Sequence, residues 1–69
     1  MHIEIHLVRV LLLRTGLQEE HLLCFEVGET DEDRNKFIEE FTKELNEAVN
    51  FEPYKLLGYV SRKIYPKEN

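Results

Sequence analysis

Three histidines and one cysteine are the side chains of this chain best suited to hold a metal ion: His2, His6, His21 and Cys24. His2 and His6 are four residues apart in a segment that reads as a β-strand. This spacing separates them by roughly 13 Å, too far for one ion with ligands near about 2.1 Å. A hairpin register that sets His21 opposite Val10 keeps the third ring away from His6. We therefore expect no metal site, no cofactor and three half-exposed strand histidines.

The sequence contains few residues that are suited to nucleophilic catalysis. Cys24 lies between Leu23 and Phe25, an apolar setting that disfavours the thiolate and predicts a core-packing role. Ser61 is the single serine, and no glycine-rich turn follows a strand. Carboxylates are abundant, but none falls in a predictable apolar pocket that would separate their pKa values. We expect a protein that is not an enzyme.

A group of acidic residues runs along one edge of a predicted helix: Asp33, Glu40, Glu44 and Glu47. Lys36 and Lys43 lie beside them at four-residue spacings, as on an ordinary solvated helix face. The sharper interpretation is an acidic surface that docks on a basic groove of a partner protein and imitates phosphates, by analogy with small acidic inhibitors.

Near the C-terminus aromatic and basic residues alternate in the set Tyr59, Arg62, Lys63 and Tyr65, with Lys55 and Lys67 as further cations. Sheets use such residues to stack bases and neutralise phosphates, although lysines also keep edge strands soluble. Residues 18–52 hold twelve acidic and three basic side chains, a net charge of −9 that repels phosphate backbones. Binding of single-stranded nucleic acid is therefore the alternative function and not the first one.

The chain has 69 residues, of which 42% are hydrophobic, and a net charge of −5. That is enough for one small core, and without a disulfide such a domain is marginally stable unless it associates with itself or a partner. The apolar run from Leu7 to Leu13 is interrupted by Arg9 and is too short to span a membrane. With no secretory signal visible, we expect a cytoplasmic protein without a membrane partner.

The spacing of apolar residues and the positions of glycine, proline and capping residues predict the elements that position these side chains. Residues 2–13 and 19–27 are rich in β-branched and apolar residues and predict a hairpin across Gly16. Thr30 is an N-cap candidate ahead of a helix over 31–49, which should end near Asn50, before Pro53. A third strand over 54–65 and a polar tail over 66–69 complete the single domain. The helix is amphipathic, with an apolar stripe made by Phe37, Ile38, Phe41, Leu45, Ala48 and Val49.

This ββαβ order predicts an α+β fold, in which the amphipathic helix packs on one face of a small, largely antiparallel three-stranded sheet. A dimer that pairs edge to edge into a six-stranded sheet is the runner-up arrangement.

The sheet has more apolar residues than one helix can cover. Val8, Val10 and Leu12 should form the floor under the helix with Leu23, Phe25 and Val27. The opposite face would then also be apolar, carrying Ile3, Ile5, Leu7, Leu11, Leu13, Leu22 and Cys24. One explanation is that a second copy or a protein target covers it. The other is a β-bulge near Leu7 that returns part of the surplus to the core.

The sequence therefore predicts a non-enzymatic, small acidic protein-binding module, acting as a homodimer or as an inhibitor or adaptor on a basic partner. The predicted association surface consists of Leu7, Leu11, Leu13, Leu22, Leu57 and Tyr59.

Overall fold

A computed structural model describes residues 1–66 and shows three antiparallel strands in one sheet with one helix, in the order ββαβ. The strands are β1 (His2–Leu12), β2 (Gln18–Val27) and β3 (Tyr54–Ile64), and the helix is α1 (Asp31–Ala48). The predicted α+β class is confirmed, and each boundary is within one residue of its prediction. Of the predicted polar tail, residues 67–69, with Lys67, lie outside the described residues.

β1 is the central strand of the sheet, with β2 and β3 on its two sides. Its pairing with β2 is regular from His2 opposite Val27 to Leu11 opposite Gln18. Val8 is therefore paired with His21, and the expected pairing of His21 with Val10 is wrong. The observed register differs from the expected one by two residues. No bulge interrupts β1 near Leu7.

The irregularity in the sheet lies instead on β3. Arg9 pairs with Gly58 and Val10 pairs with Leu56, which leaves Leu57 as an extra residue. A one-residue insertion reverses the side-chain alternation of a strand. Lys55 and Tyr59, which would share a face in an uninterrupted strand, consequently lie on opposite faces.

The start of α1 is fixed by a capping box. The Thr30 hydroxyl accepts a hydrogen bond from the Asp33 backbone N–H at 3.1 Å, and the Asp33 carboxylate accepts from the Thr30 backbone N–H at 3.2 Å. A Cβ on Gly28, two residues before the cap, would lie 2.2 Å from Oδ2 of Asp33, so this position must be glycine for the carboxylate to stay in the capping box.

The helix ends at Ala48 with Val49 as its C-cap, followed by two residues in the left-handed region, Asn50 with φ 56° and Phe51 with φ 58°. Asparagine tolerates this conformation, as expected for a helix end. The same conformation at Phe51, a bulky residue, is a local strain.

The space between α1 and the sheet is divided into an apolar half and a polar half. The apolar core lies toward the C-terminal end of the helix and consists of Val8, Val10, Leu12, Leu45 and Val49. Under the N-terminal half of the helix the buried residues of β1 are instead His2, Glu4 and His6. The floor residues predicted from the sequence lie on this side of the sheet.

The molecule is elongated for its size. Its radius of gyration is 13.7 Å, whereas a compact domain of this length has about 11 Å. Within residues 1–66 the backbone of α1 approaches β2 and not β3. One helix therefore covers part of one face of the sheet and leaves the rest open.

Candidate functional site

The face of the sheet that points away from α1, here called the outer face, is open and largely apolar. Alternation along β1 turns its even-numbered residues toward the helix and its odd-numbered residues outward. Register then assigns the neighbours on β2 and β3. Its apolar members are Ile3, Ile5, Leu7, Leu11, Leu22, Cys24, Val60 and Ile64.

Three of these residues form a row across the centre of the outer face. Leu7 lies directly opposite Leu22 on one side and Val60 on the other. Leu22 is 69% exposed, Val60 65% and Leu7 41%. Three adjacent, half-open aliphatic side chains in one row form a contiguous exposed apolar patch.

The outer face also has a shallow depression next to this row. Gly58 has no side chain, and the space it leaves is bordered by Leu7, Arg9 and Val60. The depression measures about 170 Å³. It can accept a protruding side chain from a facing surface.

The predicted association surface is only partly reproduced by the outer face. Leu7, Leu11 and Leu22 lie on it, while Leu13 follows the end of β1 as an exposed turn residue. Leu57 is the inserted residue of the bulge. Tyr59 was wrongly grouped with this face: it pairs with Val8 and points to the helix side, because the insertion at Leu57 changes the alternation of β3.

Charges of opposite sign lie on the two sides of the outer face. Its β2 side has Glu20 and Glu26, whereas its β3 side has Lys55 and Arg62. Arg9 on the central strand binds Glu20 at 2.8 Å in an exposed ion pair. An apolar centre is thus flanked by an acidic strand and a basic strand.

The predicted acidic edge of the helix is partly used by the fold itself. Asp33 is engaged in the capping box, and its pKa is lowered by the hydrogen bonds that the Thr30 hydroxyl and backbone N–H donate. Glu40, Glu44 and Glu47 are exposed. Glu40 and Glu44 line an open cleft of about 600 Å³ between α1 and β2 together with Glu26, Lys43 and Cys24.

The predicted basic and aromatic residues of β3 are divided between two faces. Tyr59 and Lys63 point to the helix side of the sheet, and Arg62 points to the outer face. Tyr65 follows the end of β3 and packs its ring 5.5 Å from the ring of His2. Arg62 therefore does not join the other three in one surface.

A buried chain of hydrogen bonds runs along the helix side of β1, where half-exposed histidines were expected. His2 is 2% exposed, Glu4 3% and His6 1%, so this expectation is wrong for His2 and His6, whereas His21 on β2 is half-buried as expected. Nε2 of His2 lies 2.6 Å from Oε2 of Glu4, and Nδ1 of His2 lies 2.7 Å from Oε1 of Glu29. The chain of hydrogen bonds continues from Glu4 to His6, whose Nε2 lies 3.1 Å from Oε1 of Glu4.

This buried network connects β1 with the helix and with β3. Arg34 of α1 donates a hydrogen bond to Oε2 of Glu4 at 2.8 Å. Nδ1 of His6 lies 2.5 Å from the hydroxyl of Tyr59, and the His6 ring stacks on Phe37 with 5.2 Å between centroids. Within residues 1–66 every buried side-chain nitrogen or oxygen has a partner. The network therefore fills the polar half of the interior without leaving an unsatisfied group.

Charge compensation sets the protonation of the network. The hydrogen bonds to Glu4 and then to Glu29 raise the pKa of His2, because two carboxylates on two ring nitrogens favour the imidazolium. Burial acts to raise the pKa of Glu4, but the donors His2 and Arg34 outweigh it and the pKa is lowered. The hydrogen bond from His2 also lowers the pKa of Glu29.

The sequence did contain a signal for this network. Polar residues occupy every second position from His2 to His6, in a strand whose remaining positions are apolar except for Arg9. Alternation of this kind places the three polar side chains on one face. Their burial was missed because polar residues of a strand were assumed to be exposed.

Both ring nitrogens of His2 and of His6 lie within hydrogen-bond distance of a partner. In the part of the chain that the structure describes, no group of three or more histidine, cysteine or carboxylate side chains is arranged to hold a metal ion. Cys24 is exposed on the outer face, not packed in the core as expected, because register places it opposite Ile5.

No helix within residues 1–66 combines the length and the apolar character needed to cross a bilayer. Comparison of the chain with protein-family models, with curated proteins and with solved structures finds no match. The functional conclusion therefore depends on the geometry of the outer face and of the buried network.

Proposed function

We propose that this chain is a non-enzymatic protein-association module that forms a homodimer through the outer face of its sheet. The observation that carries the proposal is the open row of Leu22, Leu7 and Val60. An antiparallel sheet with one covered face ordinarily presents polar residues on the other, and this one presents aliphatic side chains at its centre.

The size of the core supports the same conclusion. The buried apolar cluster has five members, and the space under the first half of the helix is filled by His2, Glu4 and His6. A 69-residue chain that uses part of its interior for polar groups buries little apolar surface on folding. Burial of the outer face against a second copy would stabilise the protein by about 25 cal/mol per Å² of apolar area and so offset the small size of the core.

A homodimer of this kind leaves α1 on the outside. Glu40, Glu44 and Glu47 then remain accessible for a basic partner protein, as an inhibitor or adaptor would require. Their charge favours rapid encounter with a basic surface.

Solution mass tests the proposal. We expect light scattering over a concentration series to show a dimer near twice 8.3 kDa that dissociates on dilution. Leu7→Glu should give a monomer, because it places a charge at the centre of the buried contact. The matched control is Ile38→Glu, an exposed apolar residue on the helix, which should leave the dimer intact.

A monomer for the unmodified chain at all concentrations would overturn the proposal, as would equal effects of the two substitutions. Circular dichroism of the Leu7→Glu monomer establishes that the loss of mass reflects dissociation and not unfolding.

The second candidate function is binding of single-stranded nucleic acid by β3. Tyr59 and Lys63 share the helix side of this strand, which the helix leaves partly uncovered, and Tyr65 lies next to it. Titration with labelled single strands at two salt concentrations tests it. Salt-sensitive binding that Tyr65→Ala weakens would support this candidate, and no binding at low salt would eliminate it.

A further inference from the structure

The outer face has the charge distribution of a surface that can pair with itself. Acidic Glu20 and Glu26 flank the apolar row on β2, and basic Lys55 and Arg62 flank it on β3. Two copies that present this face to each other can align in only a few symmetric ways. Each alignment brings a different pair of flanking strands together.

A two-fold axis across the strands places β2 over β2 and β3 over β3, so that strands of like charge face each other. Edge-to-edge pairing of two β3 strands likewise brings Lys55, Arg62 and Lys63 of both copies into one seam. Pairing the β2 edge of one copy with the β3 edge of another satisfies the charges but leaves a free edge at each end, which produces an open chain of subunits.

A two-fold axis parallel to β1 places β2 of each copy over β3 of its partner, so that strands of opposite charge face each other. Rotation about this axis does not change the position of a residue along the strand direction. Leu22 therefore meets the partner's Val60, since both residues pair with Leu7. Leu7 meets the partner's Leu7 at the axis. The depression beside Gly58 then lies next to the most exposed leucine of the facing copy.

The same axis matches the charges of the two flanking strands, while Arg9 of each copy meets the partner's Arg9 at the axis and keeps its own Glu20 at 2.8 Å as counter-charge. Glu26 pairs with Ile3, and Arg62 pairs with Ile5. In the dimer Glu26 and the partner's Arg62 are therefore offset by two residues along the strand, about 6.6 Å. Glu20 and Lys55 are related in the same way, in the rows of Arg9 and Leu11. Side chains of this length span such an offset between sheets that pack about 10 Å apart.

The area of the outer face is sufficient for a dimer. Eleven residues at about 3.3 Å each and three strands about 4.8 Å apart cover roughly 500 Å² per copy. Two copies together would bury about 1,000 Å², the lower limit for a specific interface. This value fits a reversible dimer and not an obligate one.

From these relations we infer that two copies of the chain pack outer face to outer face about a two-fold axis parallel to β1, acidic β2 over the partner's basic β3. This inference rests on the proposed function and specifies its partner and its geometry. Strands of the two sheets run in the same direction, within about 30° of each other.

Charge exchange between two variants tests the alignment. In this dimer Glu26→Lys alone places two like-charged pairs in the interface, and so does Arg62→Glu alone. Each variant should dimerise on the order of tenfold more weakly than the unmodified chain. When the two variants are mixed, each contact again joins opposite charges, so a heterodimer should form with near-original affinity.

The readout is native mass spectrometry of an equimolar mixture in which one variant carries ¹⁵N. A heterodimer fraction well above the statistical half supports the inference. A statistical mixture, with Leu7→Glu still monomeric, would overturn the alignment while leaving the proposed association surface standing. Dimers that Leu7→Glu does not disrupt, or a chain that never dimerises, would overturn both.

Discussion

The carboxylate of Glu4 and the guanidinium of Arg34 meet at 2.8 Å beneath the first turns of α1. Glu4 is 3% exposed, so this contact joins the central strand to the helix at a position where other folds would place an aliphatic pair. Because His2 and His6 bind the same carboxylate, the contact is one part of a network that spans the interior.

Loss of the Glu4 charge should destabilise the protein more than any single exposed ion pair does. We expect Glu4→Gln to lower the free energy of unfolding by about 2 kcal/mol, because a neutral amide leaves a buried donor opposite His2 or Arg34. Urea denaturation checks this value. The matched control is Glu20→Gln, which removes the exposed pair with Arg9 and should cost about 0.5 kcal/mol or less. Similar costs at the two sites would contradict a buried network.

The same network predicts a pH optimum of stability. His2 has a raised pKa, so the protonated ring stabilises the fold fully below its unfolded value of 6.5, and this stabilisation is lost as the pH rises through the folded pKa. Glu4 and Glu29 have lowered pKa values, so they contribute above 4.5 and the contribution is lost as the pH falls through their folded values. Stability should therefore be greatest between these limits.

Urea midpoints measured from about pH 4 to about pH 9 test this optimum. Glu29→Gln changes an exposed member of the network and should flatten the decline on the alkaline side, because a neutral amide oxygen favours the protonated ring of His2 less than the carboxylate does. A decline of unchanged steepness in this variant would show that another group causes it.

The order and bounds of the elements were predictable because they depend on local signals. Thr30 and Asp33 mark the helix start, Asn50 marks its end, and β-branched runs mark the strands. The bulge at Leu57 was not, because nothing in the sequence of β3 reports which residue its partner strand skips. That one residue decides whether Tyr59 points outward or toward His6.

The capping box should be a measurable part of the stability. We expect Thr30→Ala to cost about 1 kcal/mol, because the first turn of α1 loses a hydrogen-bond acceptor for its N–H groups. Thr42→Ala is the control on the same helix, since its hydroxyl is exposed and donates only to the Ile38 carbonyl. Thermal unfolding should show a drop of several degrees for the first variant and little change for the second.

Gly28→Ala offers a second test of the same cap. The added Cβ would lie 2.4 Å from Cγ of Asp33, so the carboxylate must leave the Thr30 N–H. The cost should resemble that of Thr30→Ala, and the two substitutions together should cost less than the sum, because both disrupt one structure. Additive costs would contradict this account.

The left-handed conformation of Phe51 predicts a stabilising substitution. A non-glycine residue there costs about 1–2 kcal/mol, of which glycine recovers a part after its own entropy cost. We expect Phe51→Gly to raise the free energy of unfolding by about 0.5–1 kcal/mol. Phe51→Ala removes the same exposed ring but keeps the strain, so it should show no gain. Equal behaviour of the two variants would mean that the backbone at this position is relaxed.

The histidines show why the site was harder to predict than the fold. Separation along the strand was used to judge whether His2 and His6 could share one metal ion, but it gave no indication that Glu4 between them hydrogen-bonds to both rings. Burial of these residues depends on where α1 lies across the sheet, and its Phe37 and Arg34 cover them. Such placement is set by the packing of the whole chain and not by any local pattern.

Gly58 allows the outer face to be altered without altering the monomer. A Cβ at this position would meet only Cβ of Arg9, at 3.8 Å, an ordinary contact, so the fold should accept Gly58→Val with a change in stability of about 0.5 kcal/mol or less. The added side chain would fill the depression beside Leu7 and Val60. In the proposed dimer it would separate the facing sheets, so sedimentation should show a dissociation constant at least tenfold higher, as expected for a loss of about 1.4 kcal/mol.

The matched control is Gly16→Ala, because Gly16 lies in the hairpin turn, outside this face. This substitution should leave the dissociation constant unchanged even if the positive φ of 74° at Gly16 lowers the stability of the monomer. A Gly58→Val chain that dimerises as the unmodified chain does would place the association surface elsewhere.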